Sequence, residues 1–390
     1  MVFFALNLSR SFGRKCLWTH SKLLTGMQFI RQVLLGYTRS SRQLLRRSLS
    51  SQTDNMVKNK KFILVKHFEG EIDKSCLKLE EENVPTLKAN EVLTEALWMS
   101  VDPYMRPYSA HLPLNSVMIG SQVAKVVESK NERFKVGQLV LGYFGWQTHT
   151  VWNPSEMSSA LGNPYVLPDF GDLPPSLGLG IVGMPGLTAY FGLLELCDPK
   201  PKEVVVVNSA AGAVGSCVGQ IAKNKGCFVI GFAGSDKKVK WLKETLKFDA
   251  AFNYKTKDVS EALKEAAPGG VDVYFDNVGG EFSSSVLYQM KDFGRVAVCG
   301  SISSYNADHK HLPKATIIQP PLIFKQLKME GFVVTRWKKR YEEGIGQLLK
   351  WVKEGKLVYE EHVTEGFEKL PDALLGLFQG ENTGKAVVKV

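Results

Sequence analysis

Residues 204–215 read Val-Val-Val-Val-Asn-Ser-Ala-Ala-Gly-Ala-Val-Gly, a valine run followed at once by a turn of small residues. The run is β-branched, uncharged and too short for a helix, so it predicts a buried parallel strand. Residues 216–223 continue with helical spacing. In such a strand–turn–helix unit, backbone N–H groups and the helix N-terminus converge on a pyrophosphate. Because Ala210 replaces the first glycine of G-x-G-x-x-G, the turn alone also fits an ordinary strand–helix connection.

The region after this turn alternates between strand-like and helix-like segments. A helix with a charged face is predicted over 236–247. Alternation of this kind is typical of a parallel, doubly wound α/β sheet, in which the turn after the first strand binds a dinucleotide. The context therefore favours the nucleotide-binding interpretation of the turn. Further strands are predicted at 228–232, 250–254, 271–276, 295–300 and 331–334.

The flanking regions have a different pattern. Residues 57–160 lack a helical period and show short strand-like segments separated by Pro, Asn and Gly, which predicts a compact β-rich domain. Strand-like segments recur at 357–359 and 384–390, so we expect the chain to return to that domain. Residues 177–194 are almost uncharged, but several glycines and a proline interrupt them. We therefore expect a buried loop and helix there, and no membrane span.

The charge of the chain is unevenly distributed. The formal net charge is +10, and residues 1–55 hold nine basic residues and one acidic residue, a net +8, which leaves +2 for the remainder. A nearly neutral body predicts no nucleic-acid partner. The six cysteines have no C-x-x-C pair and no regular spacing, so they indicate reduced thiols rather than a disulfide framework or a zinc knot.

The first 55 residues are rich in Arg and Ser and contain a single acidic residue. This composition is typical of a mitochondrial transit peptide, with residues 46–51 as a processing neighbourhood. The alternative is that synthesis begins at Met56 and that the extension is dispensable.

The end of the second predicted strand indicates which nucleotide is bound. Proteins selective for NAD usually place an acid about 20 residues after the glycine turn, where it accepts hydrogen bonds from the ribose 2′-OH. Here residues 232–235 contain no acid, and Asp236 is followed by Lys237 and Lys238. A cation without an opposing carboxylate favours NADP(H). One of the two lysines also fits a solvated helix start.

Five longer motifs occur in one order: VDPYMR (101–106), VGMPGLTAY (182–190), AAGAVG (210–215), FDNVGG (275–280) and CGSISSYN (299–306). From about residue 56 to residue 390 the chain resembles the zinc-independent medium-chain dehydrogenase/reductase family. Within it, the motifs resemble the prostaglandin reductases, which include leukotriene hydroxydehydrogenases and alkenal/one oxidoreductases. The resemblance implies an α/β fold with a GroES-like β-rich catalytic domain (56–182), a Rossmann NADP-binding domain (183–353) and a return segment (354–390). The extension 1–55 lies outside it.

The resemblance also implies an activity. Members of the family use NADPH to reduce the carbon–carbon double bond of α,β-unsaturated ketones and aldehydes, including 15-oxoprostaglandins and alkenals. The expected partners are small lipid enones and enals, and the expected assembly is a monomer or homodimer. The expected compartment is the cytoplasm if the chain starts at Met56, or the mitochondrion if residues 1–55 act as a transit peptide. A quinone reductase and a noncatalytic NADPH-binding scaffold are the alternatives.

The resemblance assigns cofactor contacts residue by residue. It implies that residues 212–215 cradle the pyrophosphate, that Lys238 meets the 2′-phosphate, and that other residues surround the adenine and nicotinamide. The assigned residues are Gly212, Ala213, Val214, Gly215, Lys238, Tyr254, Asn277, Cys299, Gly300, Ser301, Ile302, Ser303, Tyr305, Phe332, Val333, Val334 and Asn382.

A metal is not expected in this chain. A zinc alcohol dehydrogenase needs Cys and His or Glu ligands, whereas in this chain no His is followed directly by Glu and Cys76 has no partner at a useful spacing. Without a metal, a hydroxyl must stabilise the enolate that forms from the enone. Tyr305 is the first candidate because it follows the fifth predicted strand, and Tyr104 is the second. Each also fits a structural role, and the ribose 2′-OH of the cofactor is an additional donor.

An apolar pocket for the acyl chain is expected near the reacting carbons. Aromatic residues that fit its walls, or equally the core, are Trp98, Tyr108, Phe144 and Trp146.

Overall fold

The computed structural model describes residues 57–157, 162–307 and 312–390. The predictions for residues 1–55 lie outside the described residues. Residues 58–390 group into one unit by their contacts. None of the helices in the described ranges combines the length and the apolar character that crossing a bilayer requires.

Antiparallel strands dominate the chain before residue 170. They are β1 (Lys58–Leu64), β2 (Leu77–Asn83), β3 (Val92–Ser100), β4 (Ser116–Val117), β5 (Gln122–Ser129), β6 (Leu139–Gly142), β7 (His149–Trp152) and β8 (Tyr165–Val166). A parallel series follows: β9 (Val204–Val207), β10 (Phe228–Ala233), β11 (Ala250–Asn253), β12 (Val271–Asp276), β13 (Met290–Val298) and β14 (Lys328–Gly331). The last strands described are β15 (Glu361–Glu365) and β16 (Lys385–Lys389).

The helices lie mostly between the parallel strands. They are α1 (Met105–Ser109), α2 (Met184–Leu196), α3 (Ala213–Asn224), α4 (Asp236–Glu244), α5 (Val259–Ala266), α6 (Gly280–Leu287), α7 (Gln319–Phe324), α8 (Tyr341–Lys353) and α9 (Leu370–Gln379). Short 3₁₀ helices cover Lys74–Cys76, Pro175–Leu179, Ile302–Ser304, Val334–Arg340 and Phe367–Lys369.

The parallel sheet is the doubly wound sheet that the sequence predicts. Its strand order is β11-β10-β9-β12-β13-β14, and every neighbouring pair is parallel. This is the 3-2-1-4-5-6 order of a Rossmann domain. Val205 and Val207 pack in one core cluster with α2 and α3, while Val206 packs on the other face with α5 and α6. Helices on both faces explain why the strand is apolar throughout.

The β-rich part of the fold contains a three-stranded sheet, β2-β1-β4, and a larger sheet, β15-β16-β3-β5-β6-β8, with β7 paired to β3. Strand β16 pairs antiparallel with β3, so the end of the described chain returns to the β-rich sheet as predicted. The combination of GroES-like and Rossmann parts confirms the predicted fold class.

Two predicted strands are displaced from the observed ones. The sixth strand of the parallel sheet covers Lys328–Gly331, whereas residues 332–334, which the sequence favours, leave the sheet and Val334 begins a 3₁₀ helix. The strand before the return covers Glu361–Glu365, not 357–359. Both observed strands are rich in charge, because each lies at a sheet edge where side chains reach water.

Candidate active site

The carboxyl ends of β9 and β12 meet where the strand order of the Rossmann sheet reverses. A buried amide joins them: Asn208 Nδ2 donates to Asp276 Oδ1 at 2.8 Å, and Asn208 Oδ1 accepts from the Asn277 N–H at 2.7 Å. Asn277 Nδ2 in turn donates to the carbonyl of Asn208 at 3.0 Å. This network fixes the edge of the sheet where ligands of doubly wound folds bind.

In the turn after β9 the backbone of Gly215 lies close to the backbone of Ser209. A Cβ on Gly215 would lie 2.4 Å from the carbonyl oxygen of Ser209, so no larger residue fits without moving the turn. Helix α3 starts directly afterwards, and Gly212 at its N-cap provides no side-chain hydrogen bond. The first N–H groups of the helix are therefore left for an anion.

A cavity of about 860 Å³ extends from this turn to the β-rich sheet. Both candidate catalytic tyrosines line it, and so does every predicted cofactor residue except Ser301. Ser301 is set back from the wall, where its N–H donates to the Tyr305 hydroxyl at 3.2 Å. The predicted residues that the structure brings together on the wall are Tyr104, Gly212, Ala213, Val214, Gly215, Lys238, Tyr254, Asn277, Cys299, Gly300, Ile302, Ser303, Tyr305, Phe332, Val333, Val334 and Asn382.

One end of the cavity carries two lysines. Lys238 Nζ donates to the carbonyl of Gly380 at 2.7 Å, and burial, followed by repulsion from Lys255, lowers the pKa of Lys238. A Cβ on Gly234 would lie 3.0 Å from the Tyr254 hydroxyl, so that phenol covers the end of β10. Two close cations favour a dianionic group. The sequence prediction omitted Lys255, although its position directly after Tyr254 at the end of the third parallel strand could have identified it.

The Tyr305 hydroxyl lies beside the backbone of Gly300, 3.0 Å from where a Cβ of that glycine would be. Its oxygen accepts the Ser301 N–H, which leaves its own proton free to donate. Burial raises the pKa of Tyr305 above the usual 10.0. The phenol is therefore a neutral donor at physiological pH.

The Tyr104 hydroxyl is buried and has no hydrogen-bond partner among the described residues. Burial, reinforced by the negative charge of Asp102, raises the pKa of Tyr104 well above 10.0. Its ring packs edge-to-face on Tyr108, with centroids 5.5 Å apart. A buried hydroxyl without a partner is costly, so it indicates a place where a ligand oxygen can bind.

A buried ion pair underlies the Tyr104 loop. Lys385 Nζ lies 3.1 Å from Asp102 Oδ1, and the two side chains are 4% and 5% exposed. Lys385 also donates to the carbonyls of Val101 and Ala386, each at 2.7 Å. Burial lowers the pKa of Lys385, while Asp102 opposes that shift. The pair ties β16 to the loop that carries Tyr104.

The remaining wall is mostly aromatic and apolar. Of the four aromatic residues proposed for either the pocket wall or the core, Tyr108 lines the cavity. Phe144 and Trp146 belong to the core, and Trp98 packs against Lys389. The wall residues outside the sequence prediction include Tyr143, Met184, Thr188, Phe282, Leu377 and Phe378. Cys299 also lines the cavity, but burial raises the pKa of its thiol to about 12, so the thiolate form is suppressed.

Comparison with known proteins gives the family. A family model described as the N-terminal domain of oxidoreductase matches residues 60–159, and one described as zinc-binding dehydrogenase matches residues 213–351. The chain is 54% identical over 336 residues to prostaglandin reductase 1 of Bos taurus, covering 86% of this chain and 100% of the relative. The chain belongs to the prostaglandin reductase family.

Other members of the prostaglandin reductase family and its neighbours agree with this placement. The NADP(+)-dependent 2-alkenal reductase of Nicotiana tabacum is 41% identical, covering 86% of this chain and 98% of its own. The crystal structure of CurA from Vibrio vulnificus in complex with NADPH is 36% identical with a TM-score of 0.78, covering 85% of this chain and 99% of that chain.

The zinc in the name of the second family model has no donor set in the part of the chain that the structure describes. There, no three His, Cys, Asp or Glu side chains come together in a way that could hold a metal ion. The described residues of this prostaglandin reductase family member therefore do not fit zinc.

Proposed function

We propose that this protein uses NADPH to reduce the carbon–carbon double bond of α,β-unsaturated ketones and aldehydes, as a 15-oxoprostaglandin 13-reductase or 2-alkenal reductase. The observation that carries the proposal is the Tyr305 phenol, which lines a large cavity together with the nucleotide-binding turn and keeps its proton free. Membership of the family makes the chain an NADP-dependent oxidoreductase, and its relatives include reductases of prostaglandins and of alkenals.

The cavity has features that fit NADPH. Residues 212–215 present the uncapped start of α3 to a pyrophosphate. Lys238 and Lys255 supply positive charge for a 2′-phosphate, and Tyr254 lines the cavity beside them. Asn277 and residues 299–305 would hold the nicotinamide side, Phe332 to Val334 would contact the nicotinamide, and Asn382 would close the site. When bound, NADPH supplies the hydride that adds to the β-carbon of the enone.

The chain's own contribution to the reaction is electrostatic. As hydride adds, negative charge develops on the carbonyl oxygen of the substrate, and a hydrogen bond to that oxygen becomes stronger. Tyr305 is positioned to donate this bond because its oxygen is already held by the Ser301 N–H. Tyr104 is the second donor, since its buried hydroxyl has no described partner. In this proposal the proton on the α-carbon comes from solvent.

The same proposal assigns residues 56–182 and 354–390 to the catalytic domain and residues 183–353 to the NADP-binding domain. In the same proposal the protein is a monomer or homodimer, its substrates are small-molecule enones, and nucleic acid is not a partner. The compartment is the cytoplasm for a chain starting at Met56, or the mitochondrion if residues 1–55 act as a transit peptide.

One assay tests the function: NADPH oxidation is followed with 2-nonenal, with a 15-oxoprostaglandin and with a quinone, and the products are identified by mass spectrometry. We expect the enal or the prostaglandin to be reduced at the double bond. Turnover of the quinone alone would favour a quinone reductase. Tight NADPH binding without oxidation by any of the three would favour a noncatalytic scaffold.

A further inference from the structure

The cavity wall carries an acidic side chain on the substrate side that the proposed mechanism does not use. Glu71 lies in the loop between β1 and the 3₁₀ helix Lys74–Cys76, lines the cavity and is exposed, which places it at the opening. Its Oε2 accepts a hydrogen bond from Asn306 Nδ2 at 2.9 Å. Because Asn306 follows Tyr305 directly, this carboxylate lies next to the segment that carries the proposed donor.

The other charged residues on the described wall are either paired with each other or lie near the expected phosphate site. Asp102 and Lys385 form a buried pair, and the Lys385 ammonium is also bound to two carbonyls. Lys238 and Lys255 lie at the opposite end, where the nucleotide phosphate would bind. Among the described residues that line the substrate side, no cation is therefore available to a negatively charged ligand.

Arg106 is the described cation that packs behind the Glu71 loop. Arg106 is 5% exposed, and its guanidinium donates to the Gly70 carbonyl at 3.0 Å and lies over the Phe68 ring, 5.6 Å from the ring centroid. It attracts Glu71. Arg106 does not line the cavity, so a ligand at the opening meets the carboxylate of Glu71 before the guanidinium.

We propose that Glu71 makes this enzyme select uncharged enones and enals over those that carry a carboxylate. The inference rests on the proposed function and narrows its substrate class. A lipid enone whose terminal carboxylate lies near this opening meets a like charge and no described counter-ion. Like charges a few ångströms apart at a protein surface repel by an amount that corresponds to a several-fold change in kcat/KM.

The test compares a 15-oxoprostaglandin with its methyl ester, which has the same reacting enone and no charge. In the wild type we expect kcat/KM for the ester to exceed that for the acid about fivefold. In E71Q the ratio of ester to acid should fall toward one. The glutamine amide oxygen can still accept the Asn306 N–H, so the Tyr305 segment keeps its support while the charge is lost.

Two controls separate charge from other effects. E69Q removes an equal charge from an exposed position of the same loop that does not line the cavity, and should keep the wild-type ratio. Added KCl should reduce the wild-type ratio, because salt screens charges over about 8 Å at physiological ionic strength. An ester preference that persists in E71Q would reflect hydrophobicity and would overturn the proposal.

The failure of this inference is distinguishable from the failure of the proposed function. If 2-nonenal is reduced while acid and ester react equally in the wild type, only the selectivity assigned to Glu71 is wrong. If neither 2-nonenal nor either prostaglandin is reduced, the enone reductase function is wrong, and this inference with it.

Discussion

Tyr305 is the residue on which the proposed chemistry depends most directly. Replacing it with Phe removes the hydrogen-bond donor but keeps the ring, so kcat with 2-nonenal should fall about 10–100-fold. This loss is smaller than for a lone oxyanion donor, because the ribose hydroxyl of the cofactor shares the role. The KM for NADPH should change by less than about twofold, since the ring packing is retained. Steady-state kinetics measure both. Y288F is the matched control, because Tyr288 bonds the Ile317 carbonyl away from the cavity. Unchanged kcat in Y305F would contradict the role.

The pH dependence of kcat follows from the same phenol. Tyr305 donates only when protonated, and burial raises its pKa above 10.0. Raising the pKa extends the donor form to higher pH, so kcat should stay level to about pH 9 and fall only above the ordinary phenol value of about 10. A pH–rate profile of the wild type checks this, and Y305F should lack the fall. A decline of wild-type kcat centred near neutral pH would point to another titrating group.

Lys238 should determine the preference for NADPH. Its replacement with Ala removes one of two cations at the expected phosphate site, so the Kd for NADPH should rise at least about tenfold while that for NADH changes little. Fluorescence titration of both nucleotides measures this difference. K237A provides the control, because Lys237 is exposed and does not line the cavity. Equal weakening of both nucleotides in K238A would exclude the phosphate role.

Among the elements, the β9–α3 unit has the tightest steric requirement. In G215A the new Cβ would lie 2.4 Å from the Ser209 carbonyl oxygen, so the turn must shift, at a cost of about 1–3 kcal/mol in the free energy of unfolding. NADPH affinity should fall as well, because the shift moves the phosphate-binding backbone. Thermal and chemical unfolding with and without NADPH measure both effects.

The same substitution in an open helix position is the control for G215A. Gly346 lies in α8, and apart from its chain neighbours and the backbone of its own helix no atom comes within 4 Å of the position its Cβ would take. G346A should therefore stabilise the protein by about 0.5–1 kcal/mol, because alanine favours the helix. If both variants changed stability in the same direction, crowding at Gly215 would not be the cause.

The elements also show what the sequence could and could not predict. Strand β9 was predictable because a strand covered on both faces is apolar at every position. Strand β14 was placed three residues too late, because its Lys-Met-Glu-Gly sequence has no local apolar signal and residues 332–334 do. Its position depends on pairing with β13, a contact between distant segments.

The residues of the candidate site also include some that the sequence could predict and some that it could not. The predicted site residues came from the family resemblance, and all but Ser301 line the cavity. Lys255 was missed although its position directly after Tyr254 could have identified it. Glu71 and Tyr143 were missed because each lies in a segment without a motif and reaches the wall only through the packing of the whole chain. Local sequence carries no record of that packing.

At the scale of the whole molecule, the Lys385–Asp102 pair connects β16 to the loop that carries Tyr104. K385M would leave the Asp102 carboxylate buried without its partner, which should destabilise the protein by about 3–5 kcal/mol. Chemical denaturation measures this. In K385M/D102N part of the stability should return, because the unpaired charge is removed as well.

The control for this pair is the neighbouring surface ion pair of the same strand. Lys389 Nζ lies 3.7 Å from Glu365 Oε1, and both side chains are more than half exposed. K389M should therefore change the free energy of unfolding by no more than about 1 kcal/mol. If K385M had an equally small effect, the buried pair would not hold the β-rich sheet and the Tyr104 loop together.

The return of β16 to the β-rich sheet has a consequence for biosynthesis. The chain emerges from the ribosome with its N-terminal part first, and folding units form as they emerge. All strands of the Rossmann sheet lie between Val204 and Gly331, so that sheet can close while translation continues. The β-rich sheet begins earlier but lacks β16, which lies between β15 and β3, until residues 385–389 have been made. A nascent chain therefore acquires its nucleotide-binding half first, and a premature stop in the final codons would leave that half folded beside an unfinished partner.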